Sequence, residues 1–259
     1  MAEKGQLMSG VVAITMAGMG SRFTKAGYDR PKYEIEALGR PLFDWSMLSM
    51  EAYREAGWSF CFAVRSGLNA PDFLTARCKA LGIQVDGIVE LDELTDGQAT
   101  TALELVATAS ENQPLAIFNI DTYVAPGAMK PADPAVCAGH VPCFPGPGNG
   151  WSFARTDADG RVVELREKER ISDHATVGLY WFDSVARYRD VYARFFRNSG
   201  EEKGERYIAP MYNQIIADGA AVSISQLAFE DVGMLGTPEQ LEAFIASPPP
   251  SAAKWAIAK

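Results

Sequence analysis

Gly18, Gly20, Arg22 and Lys32 stand close together near the start of this chain, and Asp121 closes an apolar run further on. Each residue type has a use at a phosphate. Glycines lack Cβ atoms, so their backbone N–H groups can approach an anion closely. An arginine and a lysine add positive charge at the same place. A carboxylate at the end of a strand suits Mg2+, which takes one or two carboxylates together with phosphate oxygens. Singly, none of these is specific: a glycine turn after a strand is ordinary punctuation, and an aspartate there can cap the next turn. Together they point to a triphosphate. Two familiar phosphate signatures are absent, because there is no Gly-x-x-x-x-Gly-Lys-Ser/Thr and Phe23 stands where Gly-x-Gly-x-x-Gly needs its third glycine. Pro31 fixes its own φ and disfavours helix at Arg30, so Lys32 is expected on an extended segment folded back toward the glycine loop.

Two later stretches carry further polar groups. Asp96-Gly97-Gln98-Ala99-Thr100-Thr101-Ala102 opens a predicted helix with small residues, for which capping and close packing is the plain explanation. Its amide and hydroxyls could also read the edge of a base, and several base edges would satisfy them. Arg166-Glu167-Lys168-Glu169-Arg170, taken alone, is a solvated charge run.

The segment Ala17-Gly18-Met19-Gly20-Ser21-Arg22-Phe23, followed by Pro31-Lys32 and Gly39-Arg40-Pro41-Leu42, resembles the signature of the sugar-1-phosphate nucleotidyltransferases, or nucleotide-sugar pyrophosphorylases. Thr24-Lys25-Ala26-Gly27 replaces the family's usual Pro-Leu-Thr. The resemblance implies that Ala17, Gly18, Met19, Gly20 and Ser21 hold the nucleoside triphosphate, that Arg22 stabilises the leaving pyrophosphate, and that Lys32 contacts the transferring phosphoryl group. Gly97 and Gln98 fall on the family's Gly-x-Ala segment, with Gln98 the candidate base reader and Thr100 the second. Asn119-Ile120-Asp121 is similar to the element carrying the family's metal-binding aspartate. The family's Asp-x-Gly-Thr-Pro-Glu is written here as Asp231-Val232-Gly233-Met234-Leu235-Gly236-Thr237-Pro238-Glu239, as though three residues were inserted. Asp231 is then the expected second ligand for Mg2+, with Glu230 as substitute. Glu167-Lys168, Ser172, Ala175 and Gly178-Leu179-Tyr180-Trp181-Phe182 resemble the acceptor element, which assigns Lys168 to the acceptor phosphate and Glu167 to acceptor hydroxyls. Tyr180 and Trp151 are expected on the pocket wall, with Asn149 beside them. Glu169 replaces a usual proline.

The implied reaction is NTP plus a phosphorylated acceptor, a sugar 1-phosphate by first choice, giving an NDP-sugar and pyrophosphate for nucleotide-sugar and polysaccharide biosynthesis. Three rivals stand beside it: a cytidylyltransferase acting on a non-sugar phosphate such as phosphocholine, a nucleotide-sugar-dependent glycosyltransferase, and an inactive nucleotide sensor. A glycosyltransferase would need Asp-x-Asp, and Asp121-Thr122-Tyr123 lacks the second aspartate. No β-helix repeat follows the catalytic region, so the short form of the family is expected.

Composition agrees with such an enzyme. The chain has 259 residues, 47% hydrophobic and 22% charged, enough for one substantial core. A net charge of −9 argues against a nucleic-acid surface, so a polyanionic ligand must be met locally. No segment is apolar enough for a signal peptide or a membrane span, and a cytoplasmic protein is expected. Cys61, Cys78, Cys137 and Cys143 lack zinc spacing and read as buried thiols. With only His140 and His174 present, carboxylates and metal should carry any catalysis. Phe195 and Phe196 fit a subunit contact or core equally, which leaves the oligomeric state open.

The elements that must position these groups alternate between strand and helix. Strands are predicted over 11–15, 58–64, 83–91 and 114–120, and helices over 42–56, 69–81 and 98–109. This pattern predicts an α/β fold with a doubly wound, mixed but mostly parallel sheet flanked by helices, of the nucleotidyltransferase and GT-A-like kind, with binding at the carboxyl ends of the strands. Pro and Gly between 126 and 150 mark the passage from a nucleotide half, about 1–135, to an acceptor half, about 136–246, within one domain. The acceptor half is predicted to hold a hairpin over 151–166, a strand over 178–182, helices over 183–198 and 207–217, an acidic connection over 199–205 and a strand over 221–227. A last helix begins at Pro238, and 247–259 forms a tail.

Overall fold

The computed structural model describes residues 9–198, 200–202 and 204–257. Residues 1–8, positions 199 and 203 of the acidic connection, and 258–259 of the tail lie outside the described residues. In chain order the strands are β1 (Val11–Thr15), β2 (Glu36–Ala37), β3 (Arg40–Pro41), β4 (Ser59–Arg65), β5 (Val85–Leu91), β6 (Leu115–Asn119), β7 (Thr122–Val124), β8 (Gly139–Phe144), β9 (Ser152–Thr156), β10 (Val162–Glu167), β11 (Ala175–Thr176), β12 (Leu179–Phe182), β13 (Val222–Gln226) and β14 (Val232–Met234). Ten of them form a mixed sheet in the order β10-β9-β11-β8-β12-β6-β1-β4-β5, with β13 paired to β8.

β5, β4, β1 and β6 run parallel. Their apolar runs need cover on both faces, and helices supply it. Val12 and Ile14 enter one core cluster while Val11 and Ala13 enter another, as the strand period of two requires. Antiparallel β12 lies between β6 and β8 and makes one sheet of the two halves. This is the expected α/β architecture.

Helix boundaries depart from the sequence reading where the backbone has a local reason. The 42–56 span is two helices, Leu42–Leu48 and Glu51–Glu55, separated at Met50 with φ −95° and ψ 16°. The 207–217 span becomes helical only at Tyr212, after a 3-10 turn at Ala209–Met211. Pro210 lacks an N–H and disfavours α geometry at the residue before it. Tyr207 is thereby released from any helix.

A third cluster, including Phe23, Trp45, Tyr123, Leu235 and Phe244, packs beneath the glycine loop and the end of β6. The tail docks on this side. The Tyr123 hydroxyl donates to Ser251 Oγ at 3.0 Å, Arg40 Nε donates to the Trp255 carbonyl at 2.6 Å, and Ile257 N donates to the Leu38 carbonyl at 3.0 Å. All four cysteines are buried and free. Phe195 and Phe196 meet edge to face and border the second cluster. No helix among the described residues is long and apolar enough to cross a membrane.

Candidate active site

A cleft of about 680 Å³ opens at the carboxyl ends of β1, β4 and β6. Gly18, Met19, Gly20, Ser21 and Arg22 form one wall, and Lys32 and Asp121 meet inside it. Gly20 takes φ +60° and ψ 22°, a left-handed conformation that a glycine adopts without a Cβ clash, and so starts the short helix Ser21–Lys25. Ala17 is buried just below this loop. Pro31 holds the chain extended before the 3-10 turn Lys32–Glu34, which folds the lysine back as expected. Lys32 Nζ donates to Asp121 Oδ1 at 2.6 Å; the lysine side chain is 11% exposed and the aspartate 49%. One carboxylate face is left for a ligand.

The base-reading stretch divides by helical phase. Gln98 is the first residue of helix Gln98–Leu105 and donates Nε2–H to Thr15 Oγ1 at 3.1 Å, and Thr15 lines the cleft. Thr100 lies about 200° further round the helix. Its hydroxyl bonds Asp96 Oδ1 and, at 2.7 Å, the Tyr192 hydroxyl. Thr100 thus faces the helix Val185–Phe195 and not the nucleotide cleft, which corrects its expected position. Gly97 serves a close approach: a Cβ there would come within 2.5 Å of both the backbone N and O of Arg206.

Asp231 does not meet Asp121. Antiparallel β14 pairs Val232 with Val124 and Met234 with Thr122, and Leu235 N donates to the Asp121 carbonyl at 2.7 Å. The Asp231 carbonyl accepts from Ala125 N, four ladder positions away, or about 13 Å at ~3.3 Å per residue. Glu230 shares its 3-10 turn. The ladder runs without an insertion, so Met234 stands two residues before Gly236, in the aspartate's place in the family pattern. Met234 Sδ is 3.9 Å from Gln240 Nε2, and Gln240 Oε1 accepts from Gly236 N. A Cβ on Gly236 would lie 3.4 Å from Asp121 Oδ2. No group of three or more His, Cys, Asp or Glu among the described residues could hold a metal. Asp121 alone still fits Mg2+, which can use a single protein carboxylate with substrate phosphates.

On the side expected to meet the acceptor, Glu167 ends β10 with its carboxylate turned inward, 8% exposed. Burial holds it above the ordinary carboxylate range, opposed by the Ser152 hydroxyl and the Lys168 ammonium. Ser152 Oγ donates to Glu167 Oε2. The Tyr180 hydroxyl lies 3.2 Å from both Ser152 Oγ and Thr176 Oγ1. Tyr180 is a buried support beneath Glu167, not the pocket wall it was expected to form. Trp151 is half-buried, edge-on to Phe144, and its Nε1–H donates to the Pro147 carbonyl, which fastens the loop carrying exposed Asn149. Lys168 extends to Tyr207, with Nζ donating to the Tyr207 hydroxyl at 2.6 Å and lying 4.4 Å from the ring centre.

Two charged cleft residues were not assigned from the sequence. Arg65 ends β4 and Glu205 follows Gly204, and both line the cleft. Arg65 follows the apolar run 60–64 as Asp121 follows 114–120, which is the signal that could have found it. Glu205 stands in Gly204-Glu205-Arg206-Tyr207-Ile208, which is similar to the family's Gly-Glu segment before its late helix, but that likeness gave it no role, because the approach of its segment to the cleft is tertiary.

A glycine loop, Lys32 and a single carboxylate gather at the carboxyl ends of the parallel strands of a mixed sheet, an arrangement suited to a phosphate-bearing ligand, and comparison with known proteins narrows it. No protein-family profile and no curated protein matches the chain. Among solved structures, the chain is similar to the nucleoside-diphosphate-sugar pyrophosphorylase from Vibrio cholerae RC9, with 36% identity, a TM-score of 0.83, and coverage of 91% of this chain and 99% of that one. It shares its fold with the inositol-1-phosphate CTP transferase from T. maritima, with 14% identity, a TM-score of 0.73, and coverage of 97% and 99%. A Bacillus anthracis protein described as a candidate glucose-1-phosphate thymidylyltransferase has the same fold, with 16% identity, a TM-score of 0.69, and coverage of 92% and 95%. The chain belongs to the nucleoside-diphosphate-sugar pyrophosphorylase family and is a nucleotidyltransferase.

Proposed function

We propose that this protein transfers a nucleoside monophosphate from an NTP to a sugar 1-phosphate, releasing pyrophosphate and forming an NDP-sugar. The observation that carries this reading is the Lys32–Asp121 pair set against the glycine loop in one cleft. The loop's N–H groups and Arg22 hold the β- and γ-phosphates, where Arg22 stabilises charge on the departing pyrophosphate. Lys32 neutralises the transferring phosphoryl group, as an acceptor phosphate oxygen attacks the α-phosphorus in line with the leaving oxygen. Gln98, steadied by Thr15, meets the base. Glu167 accepts hydrogen bonds from acceptor hydroxyls, and Lys168 pairs with the acceptor phosphate. When bound by Asp121 and the nucleotide phosphates, Mg2+ supplies Lewis-acid charge neutralisation.

Pyrophosphate release with Mg2+, measured for each NTP against glucose 1-phosphate, inositol 1-phosphate and phosphocholine, tests the proposal. One sugar 1-phosphate paired with one NTP is the expected result. Turnover of phosphocholine with CTP alone would replace the sugar acceptor, and nucleotide binding with no turnover anywhere would support a sensor.

A further inference from the structure

Glu205, Arg206 and Tyr207 touch three different parts of the molecule in succession. Glu205 lines the nucleotide cleft. Arg206 lies across the N-terminus of helix Gln98–Leu105: its N–H donates to the Asp96 carbonyl at 2.8 Å, and its carbonyl accepts from Ala99 N at 3.0 Å. Its guanidinium is 3.0 Å from Asp96 Oδ2 and donates to the Tyr192 hydroxyl at 2.7 Å. Gly97, with φ +148°, leaves room for this crossing. Tyr207 then holds Lys168 through both its hydroxyl and its ring.

Lys168 is itself unusual. It takes φ +52°, a left-handed conformation unfavourable for a residue with a Cβ, so tertiary contacts must hold it there. Its N–H donates to the Trp151 carbonyl at 2.9 Å, and its ammonium lies 3.7 Å from Glu167 Oε1. The Tyr207 hydroxyl is the nearest polar atom to that ammonium among the contacts described, at 2.6 Å. A lysine side chain left free would explore several rotamers, and fixing it beforehand lowers the entropy lost when it binds an anion.

We propose that Tyr207 is a positioning residue for the acceptor: it presents the Lys168 ammonium to the acceptor phosphate and, through Arg206, ties that lysine to the helix that carries Gln98. One three-residue segment then sets the spacing between the base side of the nucleotide cleft and the anion subsite of the acceptor. The proposal rests on the assignment of Lys168 to the acceptor phosphate.

The test compares wild type with Tyr207→Phe, Tyr207→Leu, Lys168→Ala and the Tyr207→Leu/Lys168→Ala double variant. Acceptor KM and kcat are read from pyrophosphate release with glucose 1-phosphate, inositol 1-phosphate or phosphocholine, whichever the substrate matrix selects. Nucleotide affinity by calorimetry and thermal melts report whether the fold is kept. Tyr207→Phe retains the ring under the ammonium but loses the hydrogen bond, so acceptor KM should rise about 3–10-fold with nucleotide affinity unchanged. Tyr207→Leu should raise it further, about 10–100-fold, and the double variant should be no worse than Lys168→Ala, because both changes remove the same interaction. Wild-type acceptor KM in Tyr207→Phe, or losses that multiply in the double variant, would overturn the positioning role. A folded, nucleotide-binding wild type that turns over none of the three acceptors would remove the acceptor reading of Lys168, and this proposal with it.

Discussion

The cleft proposed for the nucleotide and the face proposed for the acceptor hold their charges in opposite ways. In the cleft, backbone geometry does most of the positioning: a left-handed glycine, an extended proline and strand ends bring Arg22, Lys32 and Asp121 together, and Asp121 remains half exposed. On the acceptor face, side chains position side chains, since Tyr180 and Ser152 support buried Glu167 while Tyr207 restrains Lys168. A phosphate chain common to every NTP can be met by a fixed backbone cradle. An acceptor particular to one enzyme needs groups that can be changed one at a time, and the face proposed for it is built from those.

The sharpest way to break this comparison is at Lys32. Lys32→Ala removes one positioned charge from the transfer step and should lower kcat about 10²–10³-fold, with the thermal melt nearly unchanged. A loss confined to acceptor KM would place Lys32 on the wrong side of the comparison. Next in size is Met234→Asp, which adds a carboxylate on the ladder beside Asp121. Calorimetric titration with Mn2+ in the absence of nucleotide should show at least about 10-fold tighter binding than wild type, because a second carboxylate compensates for missing phosphate oxygens. Unchanged Mn2+ affinity would mean that Met234 does not point toward the ion.

Glu167→Gln sharpens the acceptor side and should raise acceptor KM about 10-fold, since an amide accepts a hydrogen bond less strongly than a carboxylate. Its pH signature is separate. Because the native carboxyl titrates above its ordinary value of 4.5, its contribution to stability is full below that value and is lost as pH rises through the raised one. The glutamine has no such titration, so melts recorded upward from pH 4.5 should show the variant gaining on wild type. Parallel curves would show that Ser152 and Lys168 fully offset the burial. The smallest effect is expected at Trp255→Ala, away from both regions. Loss of its ring from beneath Arg40 should cost about 0.5–1 kcal/mol, or about 1–4 °C in Tm, with kcat unchanged.

Much of this architecture was legible before any coordinates. The apolar runs at 11–15, 60–64 and 115–118 required strands covered on both faces, and Gly20 and Pro31 carry backbone preferences that act within a few residues. The glycine loop, Arg22, Lys32 and the strand-end position of Asp121 follow from such local rules. Other features depend on residues far apart in sequence. The family spacing around Asp231 read as an insertion, whereas the β14–β7 register carries Asp231 away from Asp121 and brings Met234 beside it. Helical phase turned Gln98 toward Thr15, which lines the cleft, and Thr100 toward Tyr192 only once the partners of each face were known. The family resemblance implied that Tyr180 lines a pocket wall, but its strand lies inside the sheet and its hydroxyl is a buried support. Glu205 and Tyr207 fall in a stretch similar to the family's Gly-Glu segment, yet nothing local gave either a role. Their roles arise where Arg206 crosses Gly97, a contact over more than a hundred residues of sequence that only the packed chain creates. Local stereochemistry thus determined the strands and the phosphate loop of this protein, and tertiary packing decided which polar groups share a site, because hydrogen bonds and charges act over distances in space that sequence separation does not measure.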